Sequence, residues 1–321
     1  MQKIYDPEYY RVVFFSSAPI GTPFLTALHQ DPRFEVVGVV TQQDKPVGRG
    51  LKLTPNVIKQ TALELGFQEQ QIQTPRKINL ETSIEGKNFY DRLQAKSPDF
   101  LVVIAYGKIM PVSLLELPTF APINVHGSLL PQYRGASPLQ SVFLDQQTQT
   151  GITIMHMDAG MDTGAIVDRL AFKLPFDRTV KTLIEKIQQT PQFLNDTLRS
   201  HAKGALHATP QDESQSTTCQ KITKHDGEIA PASDSLASIY AKYRAYVLRP
   251  KIWFTHQEKT VVIESLILDA DLYAAGKDQP LWDSSYRLHP AIKTLSLKPE
   301  GKKSMDRTSF KNGYLKEKKS D

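Results

Sequence analysis

Two apolar runs flanking one amphipathic segment constrain this chain more than any other feature. Arg11–Ser17 and Phe34–Thr41 are rich in β-branched and aromatic residues, and Thr22–Gln30 between them carries a helical pattern with Pro23 suited to a first turn. Strand, helix and strand at this spacing predict parallel neighbours joined by a right-handed crossover. The alternation continues. Thr54-Pro55 reads as an N-cap followed by proline at the first helical position, with Gly66 as the stop. Asn88–Lys96 reads as a helix ended before Pro98. Phe100–Ala105 is apolar throughout, as expected of a central strand buried on both faces. Ile123–His126 and Gly151–Met157 read as strands, Ala165–Leu174 as an edge strand, and Thr179–Ser200 as a helix that Pro191 must kink or split. The first two hundred or so residues therefore predict an α/β, Rossmann-like doubly wound domain.

The chain changes character after that. His207–Thr218 is polar and reads as a linker. A helix is expected near Ser235–Val247, then a hairpin of Ile252–Thr255 and Thr260–Leu268 across His256-Gln257-Glu258-Lys259. A small β-rich barrel fits this second module. The expected division is 1–207, a linker at 208–220, and 221–321, with the lysine-rich stretch from Lys302 frayed.

Charge follows the same division. Of the 39 basic and 34 acidic residues, 21 of each lie before Lys221, leaving 18 basic and 13 acidic from Lys221 onward. The whole net charge of +5 thus sits in the last third, which suits an anionic partner such as nucleic acid or, more simply, a lysine-rich solvated surface. With 40% apolar and 23% charged residues, the 321-residue chain is neither collagen-like nor fully disordered, and it is long enough to bury a core. No apolar run approaches the ~18 residues of a membrane span. Asp6 and Glu8 near the start argue against a secretory or mitochondrial leader. Cys219 is the single cysteine, which excludes an internal disulfide or a cysteine-rich zinc site and suits a reducing cytoplasm.

Three clusters carry candidate chemistry. In Ile123-Asn124-Val125-His126-Gly127-Ser128-Leu129-Leu130-Pro131, Asn124 and His126 are two apart and share one strand face at its carboxyl end, where open α/β sheets bind ligands. An amide can donate to a developing oxyanion, and an imidazole can exchange a proton near neutral pH. The second cluster, Met157-Asp158-Ala159-Gly160-Met161-Asp162-Thr163-Gly164, offers carboxylates that could orient an imidazole. The third, Asp44 to Lys52, brings Lys45, Arg49 and Lys52 onto a glycine-containing loop able to meet phosphates. Taken singly, each also reads as ordinary strand-end, turn or solvated-loop chemistry. No Gly-x-Gly-x-x-Gly follows the first strand, where Phe15-Ser16-Ser17-Ala18-Pro19 stands, and there is no Walker loop or His-Glu-x-x-His. Cys219 reads as incidental. His29, His201, His207, His225, His256 and His289 read as surface residues.

Asn124-x-His126-Gly-Ser-Leu-Leu-Pro, then Arg134-Gly135, then Asp162 placed 36 residues after His126, together resemble the formyltetrahydrofolate-dependent formyltransferases. The loop at Lys45–Gly50, the stretch Met157–Gly164 and Lys221–Ile229 are most similar to the branch of that family that acts on methionyl-tRNA. The first strand-helix turn departs from the family's usual glycine and acidic residue, with Ser16 and Pro19 in their places. The resemblance implies formyl transfer from 10-formyltetrahydrofolate to the α-amino group of initiator methionyl-tRNA, without a metal. His126 would carry the proton, Asn124 would stabilise the oxyanion and Asp162 would orient His126. Ser128, Leu129, Leu130 and Pro131 would line the folate site. Lys45, Arg49, Lys52, Lys221, Lys224 and Arg244 would meet tRNA. It also implies an oligonucleotide-binding (OB)-like second domain and a cytoplasmic monomer with no membrane partner. Two alternatives stay open: a formyltransferase for a small amine, such as glycinamide ribonucleotide or an amino sugar, and a non-catalytic RNA-binding protein.

Overall fold

The computed structural model describes residues 8–47 and 51–314. Arg49 and the end of the lysine-rich tail lie outside them. In chain order the elements are β1 (Tyr10–Ser16), α1 (Thr22–Gln30), β2 (Phe34–Val40), β3 (Lys45–Val47), β4 (Lys52–Thr54), α2 (Val57–Glu64), β5 (Ile72–Gln73) and α3 (Ile84–Gln94). Next come β6 (Phe100–Ile104), α4 (Val112–Leu115), β7 (Ala121–His126), β8 (Arg134–Gly135), α5 (Pro138–Leu144), β9 (Gln149–His156) and β10 (Ile166–Lys173). The rest comprises α6 (Val180–Ile187), α7 (Pro191–Ala202), β11 (Thr218–Cys219), α8 (Leu236–Tyr246), β12 (Ile252–His256), β13 (Lys259–Leu268), α9 (Ala270–Gly276), β14 (Ile292–Pro299), β15 (Met305–Asp306) and α10 (Arg307–Tyr314).

The chain divides into two compact units. The first comprises residues up to Gly135, Gly151–Phe172 and Ile184–Thr218; the second comprises Ala136–Thr150, Lys173–Leu183 and the residues from Cys219. This differs from the expected cut at 207. The polar stretch after α7 is part of the first unit because its backbone is paired there: Thr209 exchanges hydrogen bonds with Ile166, and Thr217 bonds Pro131 and Arg134. Paired backbone holds a segment in place whatever its composition.

The first unit is built on a seven-stranded sheet ordered β10-β9-β7-β6-β1-β2-β5. β1 runs parallel to β2 and β6, as the strand-helix-strand spacing predicts, and β7 is parallel to β6. β9 joins β7 antiparallel. All five residues of β6 are buried. One face packs Val13, Phe15, Leu101 and Val103 against Phe89 and Leu93 of α3. Phe15 meets Phe89 and Tyr106 edge-on, with ring centroids 6.5 and 5.4 Å apart, an arrangement that favours aromatic pairs.

Several local expectations shift. α2 is capped by Asn56, which accepts from Ile58 N, because Thr54 closes the β3–β4 hairpin. α3 begins at Ile84, where Ser83 accepts from Gly86 N. Pro191 ends up in the first turn of a separate helix, α7, which avoids the lost hydrogen bond of an interior proline.

The second unit carries a four-stranded sheet ordered β12-β13-β14-β15. The β12–β13 hairpin is tighter than expected, since His256 pairs with Lys259 and leaves a two-residue turn. Gln257 and Glu258 both take positive φ, 47° and 62°, matching the twist of a two-residue hairpin. Within the stretch from Lys302, Phe310 of α10 is buried and meets Phe254 of β12 edge-on. No helix among the described residues is long and apolar enough to cross a membrane.

Three histidines expected at the surface are structural. His289 is buried and accepts from Ala291 N, and His256 Nε2 bonds Tyr314 O. His201 Nδ1 donates to Leu206 O, so its Nε2 accepts from His156 Nε2 at 2.9 Å. Burial, then the neighbouring His201, push His156 down from 6.5 to about 4.

Two stability predictions follow from this packing. Phe15→Ala leaves a void against Phe89 and Tyr106 and should cost about 3–5 kcal/mol in urea unfolding. For His156, the unfolded chain takes up its proton more readily than the folded one. Its contribution is therefore complete above pH 6.5 and is lost as pH falls towards 4. At about 1.4 kcal/mol per pH unit the loss is roughly 3 kcal/mol. The urea midpoint should fall across that window, and His156→Gln should flatten the fall.

Candidate active site

The site forms where β7 ends. A strand alternates its side chains, so Asn124 and His126 leave one face together. That face lies at the carboxyl edge of the sheet, beside the point where chain order reverses around β1 and β6. The loop joining β9 to β10 brings Asp162 to them. Asn124 Nδ2 donates to Asp162 Oδ1 at 3.3 Å, and Gly135 N donates to Asp162 Oδ2 at 2.8 Å. His126 Nδ1 lies 3.5 Å from the same Oδ2. The three residues singled out from the sequence are therefore in contact.

The imidazole's tautomer follows from its second partner. His126 Nε2 is 2.9 Å from the carbonyl oxygen of Tyr133. A carbonyl only accepts, so Nε2 carries hydrogen and Nδ1 holds the lone pair of the neutral ring. That lone pair faces a carboxylate. A proton arriving on Nδ1 would meet Asp162 Oδ2 across 3.5 Å. His126 is only 5% exposed, which strengthens the interaction by keeping water out. Asn124 is half-buried.

The loop after β7 is anchored through its own polar groups. Ser128 Oγ donates to Gln132 O at 2.6 Å, and Thr153 Oγ1 ties Ser128 O to Leu130 N. Leu130 packs with Met155 and Ile166. Ser128 and Leu130 are both completely buried, so they hold the loop and present no surface to a ligand, contrary to their expected role as lining. Pro131 is buried as well, and Leu129 keeps partial exposure.

The unusual turn after β1 has a local explanation. Ser16 is completely buried, and a Cβ on Gly21 would come within 2.2 Å of Ser16 Oγ. The glycine at 21 is what makes room for a serine at 16. Around it, Ser17 Oγ accepts from Gln42 N, and Gln42 Nε2 donates to Tyr106 O, so the carboxyl ends of β2 and β6 are tied together.

The cations separate by location. Lys45 and Lys52 lie on the β3–β4 hairpin, which carries the exposed Leu51 and Leu53. Asp44 moors that hairpin, pairing with Lys59 at 3.0 Å and accepting from Asn56 N. In the second unit, Lys221 and Lys224 are exposed and line a cavity of about 380 Å³ with Ser137, Thr223 and Arg249. Lys224 Nζ lies 5.8 Å from the Trp253 ring centroid. Arg244 is a correction. It is buried, donates to the carbonyls of Arg178 and Pro175, and lies over the Phe143 ring. A guanidinium so enclosed is a packing element rather than a phosphate contact. Cys219 is buried too, its Sγ accepting from Ser137 N.

Sequence reasoning passed over Tyr133, Gln211, Glu213 and Thr217, and gave Arg134 no role. Arg134 is buried and forms a two-pronged pair with Glu213, with N–O distances of 2.9 and 2.8 Å. Glu213 accordingly lies below the ordinary carboxylate range, held there by Arg134. The one available signal was a lone arginine inside an otherwise uncharged loop. Among the described residues no group of three or more His, Cys, Asp or Glu is placed to hold a metal ion.

The formyl transferase family profile matches residues 10–195. The chain is 33% identical to the methionyl-tRNA formyltransferase of Caldicellulosiruptor saccharolyticus, over 94% of this chain and 96% of that one. It is 34% identical to the methionyl-tRNA formyltransferase of Nitratiruptor sp., again over 94% and 96%. Among solved structures, the methionyl-tRNA formyltransferase from Clostridium thermocellum superposes with a TM-score of 0.55 at 16% identity, over 81% of this chain and 94% of that one. HypX from Aquifex aeolicus, in complex with tetrahydrofolic acid, superposes with a TM-score of 0.62 at 13% identity, over 96% and 48%. On the extent of these matches, the chain belongs to the formyl transferase family.

Proposed function

We propose that this chain transfers the formyl group of 10-formyltetrahydrofolate to the α-amino group of initiator methionyl-tRNA. The observation that carries the reading is the convergence of Asn124, His126 and Asp162 at the end of β7. Near full-length similarity to relatives named methionyl-tRNA formyltransferase supports the acceptor.

The residues suit a direct attack. The amine nitrogen forms a bond to the formyl carbon, and the carbonyl oxygen becomes an oxyanion. Asn124 donates its second N–H to that oxygen. His126 Nδ1 takes the proton released by the amine, and Asp162 stabilises the imidazolium across 3.5 Å. The same proton passes to N10 as the C–N10 bond breaks, so atoms and charge balance. Leu129, which keeps partial exposure, would contact the folate. Lys45, Arg49 and Lys52 would hold the acceptor end, while Lys221 and Lys224 meet the tRNA backbone. The second unit's sheet is read as an OB-like barrel serving that purpose, in a monomer working in the cytoplasm.

Purified chain given 10-formyltetrahydrofolate should formylate methionyl initiator tRNA and leave free methionine untouched. His126→Ala should lower the rate by about 10²–10⁴-fold, and Asn124→Ala by about 10²–10³-fold in kcat. Product with a small amine in place of charged tRNA would replace the acceptor assignment. Absence of both product and folate binding would overturn the reading in favour of a non-catalytic RNA-binding role. Affinity for tRNA should fall steeply and linearly with salt on a log–log plot, because phosphate contacts release counterions; a flat response would remove the lysines from the tRNA contact.

A further inference from the structure

We propose that Gln211, supported by Arg134 and Glu213, is the positioning residue that holds Asp162 against His126. The proposal rests on the formyl-transfer reading for its kinetics, but the contacts stand without it. Asp162 has φ of 57°, in the left-handed region that L-residues other than asparagine and aspartate rarely adopt. Gln211 Nε2 donates to Asp162 O and to Gly164 O, both at 2.8 Å. The two N–H groups of one amide thus bind both ends of the turn that carries the carboxylate.

The amide is held in one orientation. Its Oε1 accepts from Arg134 Nε at 3.0 Å and from Arg134 Nη2 at 2.8 Å. Rotating it by a half turn would set oxygen against two carbonyls and NH2 against a guanidinium. Glu213 fixes the guanidinium from its other edge. The network also closes on itself. Gly135, next to Arg134, gives its N–H to Asp162 Oδ2, so the carboxylate and the backbone of Asp162 are gripped by one connected set. The same segment reaches the imidazole's other partner: Thr217 Oγ1 accepts from Tyr133 N, and Tyr133 O accepts from His126 Nε2. The stretch around 211–217 thus lashes together the two loops that flank His126.

Gln211→Leu tests this, with Gln211→Glu as a second variant of unchanged shape that keeps the acceptor and loses both donors. Two readouts apply. Steady-state kinetics should show kcat lower by about 10²-fold, the order expected when a catalytic group shifts by ~1 Å, with KM for both substrates unchanged. Amide hydrogen exchange should show Gly135 N–H exposed by about 10-fold or more, while the amides of β1 and β6 keep their protection. The proposal is overturned if Gly135 exchange is unchanged in both variants. It is equally overturned if β1 and β6 lose protection together with Gly135, since the glutamine would then act only on stability, or if kcat stays at the parent level. Should the parent itself fail to formylate methionyl-tRNA, the functional reading falls, and the exchange experiment still decides the network.

Discussion

Everything proposed for this protein depends on one carboxylate reaching one imidazole. Asp162 touches Asn124, the Gly135 amide and the Nδ1 side of His126 at once. Placing an anion beside a buried imidazole is costly unless the anion has donors of its own. The Gly135 N–H and the Asn124 amide supply them. The arrangement leaves Nδ1 as the basic nitrogen and gives it a waiting counter-charge.

The sheet delivers this contact because of where its strands end. β1 and β6 are buried on both faces, and their apolar side chains fix the register of the centre of the sheet. β7, added beside β6, then has its carboxyl end at the edge where the crossover loops gather. The antiparallel β9 returns along β7, its last residue His156 pairing with Ile123, and the loop that follows folds back to lay Asp162 on Asn124 and His126. Rigid strands position Asn124 and His126, and a loop positions Asp162. That asymmetry explains why hydrogen bonds are concentrated around the loop: a loop lacks the packed faces that hold a strand.

Polar groups inside the molecule follow the same logic of neutralisation or pairing. His156 and His201 share one hydrogen bond, and burial keeps His156 below the usual imidazole range. Arg134 is buried against Glu213 and Gln211, and Arg244 against two carbonyls and an aromatic ring. Cations that stay exposed, such as Lys221 and Lys224, are the ones free to meet an anionic partner.

The main alternation of strands and helices was legible in the residues because burial imposes a period, two for strands and 3.6 for helices. Asn124 and His126 were legible for the same reason, since two residues apart on a strand means one face. Element ends were less so. The caps at Asn56 and Ser83 compete with other polar residues nearby, and tertiary pairing of Thr54 decided between them. The polar stretch after α7 read as a linker because composition records solvent preference and not pairing. Its Gln211 lies 49 residues from Asp162, and no periodicity connects them. Arg244 looked like any other cation until packing enclosed it. By itself, then, the sequence determined the α/β alternation, the strand end that bears Asn124 and His126, and the residue types able to do the chemistry. The tertiary structure alone decided which polar groups meet: the tautomer of His126, the hold on Asp162 and the burial of Arg134 and Arg244. Apolar burial repeats along a chain and can be read from it, whereas a hydrogen bond between distant polar groups exists only once folding has brought them within reach.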